Sequence, residues 1–334
     1  MFKGSSRASK CPNLAKIAEV ITLECCGNSS VVLIPYLNGA LLGDKLLLSA
    51  VFHWIRLLFP NLSIWALDDG KCTFPMERFG VPPDRVISGS LQTTVSVGAE
   101  PRIGLILSLF DHNSTGLDFH FRPECRRISA EIWAVLSELA SVGIFPKVKT
   151  HPANLMERPI GPPSGYFVVH IRALRRDELK NPDVCTLSAI ASTLASHLLV
   201  PCFVVGRGDA RDRIVNQHVF DLLYERPLSW EETIGLLHSA CFFVGTDSGP
   251  RHLAAATGTP LICLDYQPSA FGPFCPAEQI ISSRTLAAGR NGQLIASLLA
   301  DARMSLEPHR NRGRDTQLNR VDNSRIERLQ RMHS

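Results

Sequence analysis

Short runs of mostly apolar residues alternate along this chain with longer segments whose apolar residues recur at helical spacing. In the first half the apolar runs are Ser30–Pro35, Leu62–Leu67 and Ile103–Phe110, and the helical spacing covers Gly43–Phe59 and Ala130–Ala140. Strands without polar alternation are typical of parallel sheets that helices cover on both faces. The first half is therefore predicted to be an α/β domain.

The second half repeats this alternation. Its predicted elements are the strand Tyr166–Ile171, a helix near Val184–Leu198, the strand Cys202–Val205, the helix Trp230–Ser239, the strand Cys241–Val244, a helix from Pro250 and the strand Leu261–Leu264. Between the halves, the segment Pro146–Gly165 is rich in proline and glycine, which favour loops. We place a domain boundary in this segment.

A chain of 334 residues is long enough to build two ordinary cores. We expect an N-terminal Rossmann-like domain over residues 1–150, a C-terminal one over residues 164–304, and a basic polar tail over residues 305–334. The expected fold class is α/β, with two doubly wound domains facing each other across a cleft, where ligands of such folds bind.

Composition narrows the function classes. The formal net charge is only +4, and much of the excess lies in the tail, which argues against a nucleic-acid partner. The 10 cysteines include no CxxC pair, as expected of thiols in a reducing compartment. No run reaches the roughly 18–20 apolar residues of a membrane span. We expect a cytoplasmic protein, and leave open peripheral contact with the inner membrane.

The most informative segment is Val244–Pro260, which reads VGTDSGPRHLAAATGTP. A strand ends there, a turn of small residues follows, and a helix begins near Pro250. Such a turn presents backbone N–H groups and the positive end of a helix dipole to an anion, such as a phosphate. The candidate donor contacts are Asp247, Ser248, Gly249, Pro250, Arg251 and His252. The alternative is that Asp247 and Ser248 only cap the helix and His252 only packs.

A basic loop follows the strand that ends near His170. This loop carries Arg172 and Lys180. Together with His170 they are further candidate donor contacts, because the C-terminal edge of a parallel sheet is where anionic ligands bind. A solvated basic loop with no ligand is the alternative. Farther on, Val204–Arg213 contains a short glycine turn, which makes Arg207 a minor candidate for contact with a base or ribose.

The segment from Asp247 to Pro260 closely resembles the signature of the ADP-heptose:lipopolysaccharide heptosyltransferase family, glycosyltransferase family 9. Gly43-Asp44 and Phe59-Pro60 resemble the family's N-terminal half. The resemblance implies a GT-B fold, with Ser248 and Gly249 on the donor phosphates and Asp247 and His252 on the sugar-phosphate. The family commonly has methionine where Arg251 stands, and this departure leaves a different donor open.

The resemblance also implies a reaction. Asp44 would act as the general base that deprotonates the acceptor hydroxyl, although an aspartate at a helix start can equally be only a cap. Arg172, Lys180 and the turn at Ser248 would stabilise the departing nucleoside diphosphate without a metal, and the displacement would be inverting. The implied co-substrate is an ADP-sugar, with a GDP-sugar as alternative, and no other cofactor. The acceptor is left open among a glycan such as the lipopolysaccharide core, a lipid-linked molecule, a small metabolite and a protein.

Three other interpretations stay open at this point. The segment His170–Arg172 is also similar to GDP-fucose-dependent fucosyltransferases, which share the GT-B fold. Because of the departures at Arg251 and near Lys180, the chain could instead be an inactive binding protein for nucleotides or glycans. A sugar-nucleotide epimerase of the same architecture is the third.

Overall fold

A computed structural model describes residues 11–26, 30–36, 42–88, 102–110, 126–150, 166–170, 191–196, 202–205, 219–220, 228–265, 275, 278–282 and 300. The chain divides into two compact units, with the division between Pro146 and Lys147. Each unit holds one sheet whose described strands all pair in parallel. The α/β class predicted from the apolar runs is confirmed.

The sheet of the first unit has the strand order β3-β2-β1-β4-β5. Its strands are β1 (Val31–Tyr36), β2 (Ser63–Asp68), β3 (Arg85–Ser88), β4 (Ile103–Ser108) and β5 (Arg126–Ser129). Every residue of β1 and β4 is buried, whereas the edge strands β3 and β5 are largely exposed. Strands β2 and β3 lie on one side of β1, whereas the later strands β4 and β5 lie on the other side. The strand order therefore reverses between β1 and β4.

The described part of this unit contains three α-helices, α1 (Pro12–Glu24), α2 (Leu42–Leu58) and α3 (Ile132–Ser141), with a 3₁₀ turn at Met76–Arg78. Helix α1 is fastened to α3 by Glu138. The Glu138 carboxylate accepts hydrogen bonds from the backbone N–H groups of Asn13 at 3.1 Å and Leu14 at 2.8 Å. The buried carboxylate thus accepts hydrogen bonds from N–H groups that have no acceptor within α1, and its negative charge complements the helix dipole.

The sheet of the second unit has the order β11-β10-β9-β6-β7-β8. Its strands are β6 (Phe167–His170), β7 (Cys202–Val205), β8 (Val219–Phe220), β9 (Phe242–Thr246), β10 (Leu261–Asp265) and β11 (Glu278–Ser282). Here the strand order reverses between β6 and β9. In open α/β sheets, ligands bind at the carboxyl ends of the strands at such a reversal.

Two helices of the second unit are described along their whole length, α4 (Trp230–Ser239) and α5 (Gly249–Ala256), and residues 191–196 are also helical. Helix α4 begins with a capping box between Ser229 and Glu232. Thr259, just after α5, donates its hydroxyl to the Leu237 carbonyl of α4 at 2.7 Å. This bond ties α4 to the chain that leaves α5. None of the helices described is long and apolar enough to cross a membrane.

Candidate functional site

The strand-order reversal of the second unit brings two predicted site segments to one sheet edge. Strand β6 ends at His170, and its neighbour β9 ends at Thr246, directly before the turn Asp247–Ser248 that leads into α5. The strands approach closely here. A Cβ atom placed on Gly245 would lie 3.2 Å from the His170 Cβ and 2.8 Å from the Phe243 ring. Glycine at 245 therefore leaves room for the His170 side chain.

A hydrogen bond joins the two segments. The Ser248 hydroxyl lies 3.0 Å from His170 Nδ1 and donates to the Thr246 carbonyl at 3.1 Å. Because a hydroxyl has one proton, the network assigns the proton of the short contact to the histidine, whose Nδ1–H donates to Ser248. This bond fixes the rotamer of the serine at the start of α5.

His170 is neutral at physiological pH. Its side chain is buried at the end of the strand, and this burial lowers the pKa of His170 from 6.5 to about 4. A neutral imidazole brings no net charge to an incoming anion. Its hydrogen bond to Ser248 instead orients the turn before α5.

Ser248 stands at the N-cap of α5 in an extended conformation, yet its side chain makes no capping hydrogen bond to the helix backbone. The Ser248 hydroxyl therefore does not cap the helix, contrary to the alternative considered from the sequence. Gly249 and Pro250 form the start of the first turn, as expected, and proline suits that position because its missing N–H is not needed there. The N–H groups of this turn need partners from outside the helix.

The carboxylate of Asp247 is held by a fully buried arginine. Arg251 Nη1 donates to Asp247 Oδ1 at 2.9 Å, and His252 Nε2 lies 3.6 Å from the same oxygen. The sequence placed Arg251 beside an anion, and the anion that it contacts in the structure is Asp247. His252 is buried next to it, and Asp247 is partly exposed.

Asp44 lies in the other unit, in the first turn of α2, where it is half-buried. The next residue, Lys45, is one that the sequence reasoning missed. Its ammonium group is buried and donates to Asp68 Oδ2 at 2.6 Å and to the Cys72 carbonyl at 2.8 Å, and it lies 5.4 Å from the Tyr36 ring centre. The signal available was a lysine directly before the apolar run Leu46–Leu48 of α2.

A cluster of polar groups therefore surrounds Lys45, the neighbour of Asp44, at the carboxyl ends of β1 and β2. Burial raises the pKa of Tyr36, and the nearby Cys72 and the carboxylates of Asp44 and Asp68 raise it further. The tyrosine is thus a neutral hydroxyl at any physiological pH.

In the described part of the chain, no group of His, Cys, Asp and Glu side chains has the geometry to hold a metal ion.

Three predicted donor contacts, Arg172, Lys180 and Arg207, lie outside the described residues. The others fall into two places. One edge of the second sheet holds the other predicted donor contacts, which are His170, Asp247, Ser248, Gly249, Pro250, Arg251 and His252. The candidate base Asp44 lies in the first unit.

The comparisons with known proteins point to one family. A model of glycosyltransferase family 9 (heptosyltransferase) matches residues 217–291, which include β9, α5 and the whole turn between them. No curated protein matches the chain at a significant level. The resemblance to heptosyltransferases that the sequence indicated is confirmed by the family model.

Solved structures similar to this chain include three proteins of this kind. A glycosyl transferase family 9 protein from Veillonella parvula aligns with a TM-score of 0.65 and 12% identity over 85% of this chain and 99% of its own. E. coli ADP-heptose lps heptosyltransferase II aligns with a TM-score of 0.61 and 14% identity over 82% and 99%. E. coli heptosyltransferase WaaC with ADP gives 0.56 and 14% over 81% and 100%. The expected GT-B type of α/β fold is thereby confirmed.

Proposed function

We propose that the chain is a glycosyltransferase of the heptosyltransferase kind that uses an ADP-sugar as donor, and the match of a glycosyltransferase family 9 model to residues 217–291 supports this proposal. The sugar is heptose-like, and it is transferred to a hydroxyl of a glycan, a lipid-linked molecule or a small metabolite. The similar solved structure of WaaC is a structure with ADP, which supports adenine as the donor base. A GDP-sugar is the alternative donor.

The observation that carries this proposal is the turn from Thr246 to His252. It lies at the carboxyl end of β9, beside β6, where the strand order reverses, and it leads into the N-terminus of α5. Phosphates are favoured there by the helix dipole and by the N–H groups of the first turn. Ser248, held by His170, and the backbone of Gly249 would contact the diphosphate.

Asp247 and His252 are assigned to the donor sugar-phosphate. The two side chains are already adjacent, with 3.6 Å between His252 Nε2 and Asp247 Oδ1. A carboxylate accepts hydrogen bonds from sugar hydroxyls, whereas an imidazole can donate to a phosphate oxygen. Arg172, Lys180 and Arg207 stay proposed contacts of the phosphates, the base or the ribose.

The proposed reaction is a direct displacement with inversion. The acceptor oxygen attacks the anomeric carbon, the bond from that carbon to the diphosphate oxygen breaks, and Asp44 takes the proton of the acceptor hydroxyl. The negative charge that develops on the departing nucleoside diphosphate is stabilised by the α5 N-terminus and the basic side chains. We propose that no metal ion is needed for this step.

A screen of nucleotide sugars tests the donor assignment. The melting temperature of the full chain is measured with ADP-, GDP-, UDP- and dTDP-sugars, because a ligand that binds only the folded state raises it. We expect the largest rise with the ADP-sugar and loss of that rise in His252→Ala. The control is His238→Ala, a half-buried histidine of α4 that is not assigned to the donor. If none of the nucleotide sugars raises the melting temperature, the proposal is refuted.

A second assay tests the chemistry. Release of nucleoside diphosphate is followed with and without candidate acceptors, in the wild type and in Asp44→Asn. We expect acceptor-dependent release that falls by roughly 10²–10⁴-fold in the variant, as for loss of a general base. Donor binding should be retained in Asp44→Asn. Equal turnover by both proteins would show that Asp44 is not the base.

A further inference from the structure

The hydroxyl group of Ser248 stands between two partners in the free protein. Its oxygen lies 3.0 Å from His170 Nδ1, and it donates to the Thr246 carbonyl oxygen at 3.1 Å. The serine is partly exposed at the start of α5, whereas both partners are buried at the ends of strands. These two hydrogen bonds therefore tie the hydroxyl to the sheet and not to the helix that it precedes.

The proposed ligand requires one of these two bonds to change. A phosphate oxygen of a nucleoside diphosphate is an acceptor, so Ser248 can bind it only by donating its single proton. Before a ligand arrives, that proton is directed at the Thr246 carbonyl. A hydroxyl hydrogen can turn about the Cβ–Oγ bond while the oxygen stays where it is. The change of acceptor therefore needs a second contact that holds the oxygen in place.

His170 supplies this contact. Its Nδ1–H donates to a lone pair of the Ser248 oxygen, so the bond persists whichever way the hydroxyl hydrogen turns. The imidazole is itself held by burial and by close packing at Gly245, where a Cβ atom would lie 3.2 Å from the His170 Cβ. A hydroxyl that accepts a hydrogen bond is polarised and becomes a better donor. Holding the serine in one rotamer also lowers the entropy cost of binding.

We propose that His170 is a positioning residue for the donor diphosphate: its Nδ1–H holds the Ser248 oxygen while the hydroxyl proton turns from the Thr246 carbonyl to a phosphate oxygen. This inference rests on the proposed function, because it assumes a nucleoside diphosphate at the start of α5. It gives His170 a role that is exerted through Ser248, in place of the direct donor contact expected from the sequence.

Calorimetry with nucleoside diphosphates tests this role. Dissociation constants for ADP, GDP and UDP are measured at neutral pH for wild type, His170→Leu, Ser248→Ala and His170→Leu/Ser248→Ala. We expect Ser248→Ala to weaken binding of the diphosphate that wild type prefers by about tenfold or more, because a hydrogen bond to a charged group is lost. His170→Leu should weaken it by about threefold to tenfold, but by less than about twofold when residue 248 is already alanine.

Two amide variants separate the Nδ1–H bond from the bulk of the ring. In His170→Asn the amide nitrogen is bonded to Cγ, as Nδ1 is, and can donate to Ser248. In His170→Gln the amide nitrogen lies one bond farther out, nearer the place of Nε2. We expect His170→Asn to bind within about twofold of wild type and His170→Gln to be as weak as His170→Leu. This pair also decides the question if His170→Leu does not fold.

Stability is followed separately from binding. The melting temperature of each variant is measured without ligand, and calorimetry is done well below it. A merely structural His170 would lower the melting temperature and leave the dissociation constant of the folded protein as it is. The control His238→Leu removes a half-buried histidine of α4 that is not assigned to the donor, and it should leave the dissociation constant unchanged.

Three results would overturn the inference while leaving the proposed function intact. One is unchanged diphosphate binding by His170→Leu. Another is an equal loss from His170→Leu with and without Ser248, which would mean that His170 contacts the donor directly. The third is His170→Asn as weak as His170→Leu, which would mean that the Nδ1–H is not the group that matters. Unchanged binding by Ser248→Ala would also remove the assignment of this serine to the diphosphate. If wild type binds none of the three diphosphates, both the inference and the proposed donor site fall.

Discussion

Protonation of His170 should make the second unit sensitive to acid. The folded protein holds the pKa of this buried imidazole at about 4, whereas an unfolded chain has the ordinary value of 6.5. Between these two values the unfolded state binds a proton that the folded state does not. Stability therefore rises with pH through this window, and it is lost as the pH falls from about 6.5 towards 4.

The magnitude follows from the two pKa values. At pH 5, protonation of His170 in the unfolded chain lowers the free energy of unfolding by about 2 kcal/mol. Below pH 4 this reduction reaches about 3 kcal/mol. The variant His170→Asn tests this, because the asparagine amide can donate to Ser248 much as Nδ1–H does and cannot take up a proton in this range.

The assay is urea unfolding of wild type and His170→Asn from pH 8 to pH 4.5. We expect the variant to lose some stability at pH 8 from imperfect packing, and then to lose about 2 kcal/mol less than wild type between pH 8 and pH 5. The control is His238→Asn, which removes a half-buried histidine from α4 of the same unit. Parallel pH profiles for wild type and His170→Asn would refute the argument.

Three further variants test particular contacts by thermal or urea unfolding. Gly245→Ala would set a methyl group 3.2 Å from the His170 Cβ and should cost about 1–3 kcal/mol; no loss would mean that the strands can separate. Lys45→Met leaves the Asp68 carboxylate unpaired in a largely buried place and should cost about 3–5 kcal/mol. Most of that should return in Lys45→Met/Asp68→Asn, and no recovery would contradict the pairing. Thr246→Val should be neutral or slightly stabilising in the free protein, because among the described residues the buried Thr246 Oγ1 has no partner; a loss above about 1 kcal/mol would reveal one.

The central elements could be predicted from the sequence because their patterns are strong. The apolar runs gave β1, β2, β4, β6, β7, β9 and β10 to within one or two residues, and α2 and α4 likewise. The edge strands β3 and β5 were missed because each has only four residues, at least half of them exposed, and so short a run carries too little pattern to detect. Helix α1 was missed for another reason. Its buried residues Leu14, Ile17 and Ile21 have helical spacing, but they directly follow a polar, basic segment and were not included among the predicted elements.

The candidate site was predictable in its residues and not in its contacts. The turn before α5 has a local signature, so Asp247 and Ser248 could be singled out from the chain alone. The bond between Ser248 and His170 joins residues 78 positions apart, and it exists because β9 happens to lie beside β6. The direction of the Arg251 side chain depends likewise on burial, which a residue name does not reveal.

The capping of α1 by Glu138 has a consequence for synthesis of the protein. Leu14 and Glu138 are 124 positions apart, so the ribosome makes α1 long before it makes the carboxylate that satisfies the start of this helix. At about 5–20 residues per second the delay is on the order of ten seconds. A helix of 13 residues is marginal in isolation, and its apolar side would face water during that interval. Until α3 is made, the apolar side of α1 is therefore a surface that a chaperone can cover.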